Sequence, residues 1–118
     1  MSSPAPAKYC QGRILQAKVS EARRDYKERP VVIVTPNNEI QGGSFQVVAC
    51  TTQGEKYPSS FNVPIPGGKF LGINSDSDAV CDWMPQITEN DITGLGGILS
   101  PKYLRPIIEN LRKLKEGG

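Results

Sequence analysis

Apolar residues along this chain gather in short runs rather than long helical stripes. Arg29-Pro-Val-Val-Ile-Val-Thr-Pro36 holds four consecutive β-branched residues, stiff at χ1 and suited to a pleated sheet, bracketed by Pro30 and Pro36. Phe45-Gln-Val-Val-Ala-Cys-Thr-Thr52 is a run of similar strength, and the turn-rich stretch from Asn37 to Ser44 spaces the two for an antiparallel hairpin. Gly12 to Val19 alternates loosely and predicts a first strand. Phe61 to Ile65 predicts a short edge strand, because Pro64 cannot donate to a ladder. Asp78 to Trp83 predicts a later strand in which period two sets Cys81 and Trp83 on one face and Val80 and Asp82 on the other. Ser20 to Glu28, polar throughout, predicts a long exposed loop, while Pro66-Gly67-Gly68 and Gly94 to Gly97 read as turns.

Helical period appears only near the end. Leu104, Ile107, Ile108, Leu111 and Leu114 form one apolar stripe, predicting a helix over about 101–116 with Ser100 as N-cap and Pro101 at the first helical position. Pro106 predicts a break between a first turn and the helix proper. Arg112, Lys113 and Lys115 suit the negative end of the helix dipole, and Gly117 ends it. Residues 1–8, rich in Ser, Pro and Ala, predict a flexible tail, which leaves one domain over 9–118. A chain of 118 residues supports a single core, and ten prolines and twelve glycines favour short strands, so the expected class is mainly β with a C-terminal helix. Both strong strands are apolar on both faces and each needs covering twice. A second copy of the chain would supply that cover, which predicts a two-fold homodimer.

Net charge is only +2, yet seven of the fourteen basic residues fall between Lys8 and Arg29 against three acids, Glu21, Asp25 and Glu28. A local basic segment attracts phosphates, although a solvated loop explains it equally well. Cys10, Cys50 and Cys81 lack CxxC spacing and read as reduced, small hydrophobes. The N-terminus has no apolar h-region and no apolar run exceeds four residues, so a cytoplasmic protein without a membrane span is expected.

The sequence has no histidine, which removes the usual general base and the commonest zinc ligand. Asn74-Ser-Asp76-Ser-Asp78 begins like a calcium loop, but Ala79 stands where the turn needs Gly and Pro85 where the bidentate Glu belongs. Gly67-Gly68-Lys69 lacks the other marks of a phosphate loop. No metal and no cofactor are therefore expected. Chemistry is left to Arg29 at a strand start, the hydroxyls Thr51 and Thr52 at the next strand's end, and Asp82 later. In an antiparallel hairpin the start of one strand lies beside the end of its partner, so Arg29 and Thr51 are expected to face each other, with Glu28 as a neighbour.

Arg29-Pro-Val-Val-Ile-Val-Thr-Pro-Asn37 and Val47-Val-Ala-Cys-Thr-Thr52, with Val80-Cys81-Asp82 and the final helix, resemble the MazF/PemK toxins from about Gln11 to Leu114. The resemblance implies an SH3-like small β-barrel of the MazF/PemK/CcdB type, a homodimer that binds single-stranded RNA, and a cognate antitoxin. It also implies metal-independent endoribonuclease activity by attack of the ribose 2′-OH on the neighbouring phosphorus. Carried over residue by residue, Arg29 would stabilise the phosphorane, Thr51 would position the phosphate, and Asp82 would act as base or orient the arginine. Arg23, Arg24, Tyr26, Lys27 and Thr52 would form the RNA-facing rim. Val80 stands where some members carry a second catalytic arginine, and Arg13 replaces an acidic residue that often follows the first-strand glycine. The loop Arg24-Asp-Tyr-Lys-Glu28 also differs from the glycine-bearing loop common in the family.

Plainer readings stand beside these. Arg29 can snorkel or pair with Glu28, Thr51 can reflect β-propensity, and Asp82 can be a solvated carboxylate. Trp83 suits core packing better than base stacking, for which Tyr26 is the better candidate. A non-catalytic binding module on the same fold, of the kind represented by the gyrase-binding toxin CcdB, is the competing function. The homodimer is checked by sedimentation at micromolar concentration: a species of twice 12.9 kDa is expected, and a 12.9 kDa species alone refutes it.

Overall fold

A computed structural model describes residues 9–20, 26–40, 44–51, 61–68, 76–82 and 84–117; for Ser20, Tyr26, Lys27 and Gly117 it describes the backbone alone. The strands are β1 (Arg13–Ser20), β2 (Tyr26–Ile33), β3 (Ser44–Thr51), β4 (Val63–Ile65), β5 (Ser77–Val80), β6 (Gln86–Thr88) and β7 (Ile92–Ile98), followed by the helix α1 (Pro101–Gly117). The fold is thus mainly β with a C-terminal helix. Six strands follow the antiparallel path β4-β5-β3-β2-β1-β7, and β6 pairs with the first half of β3. Among the described residues the path does not close into a complete barrel.

The expected hairpin forms, with Val31, Val32 and Ile33 opposite Ala49, Val48 and Val47. Its side chains divide between two cores because successive strand residues point to opposite faces. On one face Val32, Val48 and Cys50 pack with Ile14, Ile65, Ala79, Leu99 and Ile107, and the stripe Leu104, Ile108, Leu111 and Leu114 of α1 lies against them. On the other, Val31, Ile33, Phe45, Val47 and Ala49 pack with Leu15, Ala17, Val19 and Ile87. One chain therefore buries both faces of its central strands. The covering argument for a second copy is thereby removed, which leaves the dimer expectation to the family resemblance alone.

Several boundaries differ from the sequence reading. Tyr26 to Glu28 begin β2 rather than end a loop, because Ser20, Val19 and Lys18 of β1 pair with Tyr26, Lys27 and Glu28. Residues 21–25 and the expected tail 1–8 lie outside the described residues. β5 stops at Val80, with Cys81 and Asp82 in a turn, so Asp82 is not on a strand. Gly94 to Gly97 belong to β7 instead of a turn. There tertiary pairing overrides glycine's poor strand propensity: Gln16 Cβ packs 3.6 Å from where a Gly94 Cβ would stand, and Arg13 Nη1 donates to the Gly96 carbonyl at 3.0 Å. Pro106 lies within a continuous α1. It sits early enough that the one bond it removes belongs to the first turn, at the exposed Lys102.

Gly12 joins the parts. Its φ of +93° favours glycine, its N–H donates to the Ile33 carbonyl at 2.8 Å, and its carbonyl accepts from the Leu99 N–H at 2.8 Å. A Cβ there would lie 3.0 Å from Leu104 Cδ2. Gly12→Ala is expected to cost roughly 1–3 kcal/mol through backbone strain, and Ile107→Ala about 2–5 kcal/mol through the cavity left in a fully buried site. Urea unfolding measures both, and a loss below about 0.5 kcal/mol for Ile107→Ala contradicts this packing.

Candidate functional site

Continuing the β2–β3 register from Val31 and Ala49 by two residues brings Arg29, on β2, level with Thr51, the last residue of β3. Residues opposite each other in an antiparallel pair share a face, so the guanidinium and the hydroxyl belong to the same side of the sheet. Glu28, expected beside them, pairs with Lys18 and falls on the opposite face by strand alternation. Arg29 is half-buried, whereas Thr51 is only 5% exposed. That burial suits Thr51 to holding a neighbour in place better than to open contact.

The row extends further across the sheet. Arg29 pairs with Ala17 on its β1 side, Thr51 pairs with Asp78 of β5, and Asp78 pairs with Pro64 of β4. With the β2–β3 register extended from Val31 and Ala49, Ala17, Arg29, Thr51, Asp78 and Pro64 fall on one cross-strand rung. The next rung inward is Leu15, Val31, Ala49 and Val80, all buried and apolar. The polar rung thus lies at the margin of a core. Asp78 went unnoticed in the sequence as a site residue because only the β3–β5 register reveals it, although an aspartate inside a strand is a signal in itself, that residue being depleted there.

Asp82 is placed elsewhere. It lies in the turn after β5, up to roughly 13 Å further along the chain than Asp78, and lines a groove of about 880 Å³ against α1 with Met84, Ile108, Leu111, Arg112 and Lys115. Arg29 and Thr51 do not line that groove. Of the RNA-facing rim, Tyr26 and Lys27 open β2 opposite Ser20 and Val19, while Arg23, Arg24 and Thr52 lie outside the described residues, as does Trp83.

Among the described residues no group of three or more His, Cys, Asp or Glu is arranged to hold a metal ion, and no helix is long and apolar enough to cross a membrane. The cysteines are free thiols. Burial, with smaller contributions from Cys81 and Asp78, pushes the Cys50 thiol up to about 12. Burial likewise raises Cys81 to about 11, against an opposing hydrogen bond from Asn110. Neither thiol is a nucleophile at neutral pH.

Strand order and helix together define a small antiparallel β protein of seven strands with a C-terminal helix. The chain belongs to the PemK-like, MazF-like toxins of type II toxin–antitoxin systems, whose family model matches residues 10–114. Solved structures share the fold. MazF from Deinococcus radiodurans in one crystal form is 14% identical at a TM-score of 0.70, covering 92% of this chain and 96% of that one. The Mycobacterium tuberculosis toxin MazF-mt6 is 21% identical at a TM-score of 0.67, covering 88% and 96%. An endoribonuclease in complex with its cognate antitoxin, from a mycobacterial species, is 14% identical at 0.67, covering 92% and 94%. Comparison with curated proteins gives no match.

The raised thiols make a pH prediction. The folded chain keeps protons on Cys50 and Cys81 up to about 11 to 12, whereas an unfolded chain releases them near 9.0, so these groups lower stability as pH climbs through that interval. At pH 8, iodoacetamide is expected to label Cys10 in the native protein and the other two only after unfolding. Rapid labelling of all three contradicts this.

Proposed function

We propose that this protein is the toxin of a toxin–antitoxin pair and cleaves single-stranded RNA by metal-independent transesterification. The observation that supports the reading is the β2–β3 register, whose extension two residues beyond the Val31 and Ala49 pair brings Arg29 level with Thr51. A guanidinium presents planar, paired donors that match phosphate oxygens and stay charged at any physiological pH. When a base removes the proton of a ribose 2′-OH, that oxygen forms a bond to the adjacent phosphorus and the bond to the 5′-oxygen breaks. A 2′,3′-cyclic phosphate is left, and the departing 5′-oxygen takes up a proton. Arg29 stabilises the negative charge that grows on the phosphorane, and Thr51 holds the phosphate in line by hydrogen bonding or holds Arg29 against it.

The rim is drawn from Arg23, Arg24, Tyr26, Lys27 and Thr52, with Tyr26 offering a ring for base stacking. An antitoxin is the expected protein partner, in keeping with the similarity to crystal structures of MazE-MazF from Deinococcus radiodurans. A two-fold homodimer and a cytoplasmic setting belong to the same proposal. The binding-module alternative draws on one observation, the burial of the Thr51 hydroxyl, which limits its direct contact with a substrate.

Purified protein incubated with a randomised, unstructured RNA pool in EDTA is expected to yield cyclic-phosphate ends; intact RNA refutes the nuclease reading. Arg29→Ala is expected to slow cleavage by roughly 10²–10³, the scale of losing one electrostatic stabiliser. A loss below threefold in a folded variant would show that another cation does this work.

A further inference from the structure

We propose that Asp78 is the general base of this site, taking the proton from the ribose 2′-OH. The inference rests on the ribonuclease reading above and adds the group which that reading leaves unassigned. Asp78 is the carboxylate that the sheet register delivers to the Arg29 and Thr51 rung: it pairs directly with Thr51 across β3 and β5. Neighbouring strands lie about 4.8 Å apart, so the Arg29 and Asp78 backbones are separated by roughly 10 Å with Thr51 between them. The proposal sets a phosphodiester over that interval, with its anionic oxygens toward the guanidinium and its 2′-hydroxyl side toward the carboxylate.

Three further observations favour Asp78. Its other strand neighbour is Pro64, which has no N–H to donate. Asp78 is half-buried and borders an open hollow of about 380 Å³ with Pro64, Pro66, Ser77 and Tyr103, so it is reachable from the edge of the sheet. The neighbouring rung of Leu15, Val31, Ala49 and Val80 is wholly apolar and leaves no competing carboxylate on that side. Asp82, in contrast, lies in the turn beyond β5 and pairs with no residue of β3.

In the step assigned to it, the Asp78 carboxylate accepts the 2′-OH proton as the bond from O2′ to phosphorus forms. The bond from phosphorus to O5′ then breaks, and O5′ is protonated from solvent. Asp78 returns its proton to water, so no oxidant, reductant or metal enters the balance.

The test uses the full chain and the randomised RNA pool in EDTA, with kcat and KM measured separately. Asp78→Asn is expected to lower kcat by roughly 10²–10⁴ with little change in KM. Asp78→Glu, which keeps the carboxylate, is expected to recover part of the loss. Binding of an all-deoxy oligonucleotide, which lacks the reacting hydroxyl, should be undiminished in Asp78→Asn and weakened in Arg29→Ala, and circular dichroism verifies the fold of each variant. Cleavage by the wild type with Asp78→Asn within threefold of it, or a larger loss in Asp82→Asn than in Asp78→Asn, overturns the assignment while leaving the nuclease reading intact. Failure of the wild type to cut any RNA overturns both.

Discussion

Val31, Val32 and Ile33 face Ala49, Val48 and Val47 in a pairing that cannot slip. A shift of one residue would exchange the two sets of side chains between faces, sending Val32 and Val48 away from the helix and Val31 and Val47 toward it. Each side is filled by different partners, α1 and β4 on one and β1 and β6 on the other, so neither cluster tolerates the exchange. Arg29 and Thr51 lie at the polar end of these same two strands. Their alignment is therefore enforced by the packing of valines several residues away, and the site inherits its geometry from the core.

The central hairpin was legible because four β-branched residues bounded by prolines have few other uses, and the helix because one apolar stripe runs unbroken from Leu104 to Leu114. β7 was not legible. Three of its seven residues are glycine, and only its partner β1 makes a strand of them. β6 is three residues long and carries no pattern. The start of β2 was hidden because Tyr26, Lys27 and Glu28 are polar and face a strand whose own end is polar too.

The site was half legible for a related reason. Arg29 and Thr51 could be placed together from strand polarity alone, since hairpin strands run antiparallel. The place of Asp78 beside Thr51 could not be read, because it depends on where β5 pairs with β3 after an intervening segment whose length does not determine register. Asp82 was expected on a strand running through Trp83. The turn at Cys81 and Asp82 ends that strand before it, and β3 beyond that point pairs with β6 instead.

Gly12 bears on how the molecule comes apart. One residue clasps the end of β2 through its amide and the approach to α1 through its carbonyl. Detaching the C-terminal helix would strip the cover from Ile14 and Val32 and release this clasp in the same event. The helix is thus no removable appendage: the segment around Gly12 and α1 lose their order as a single cooperative unit.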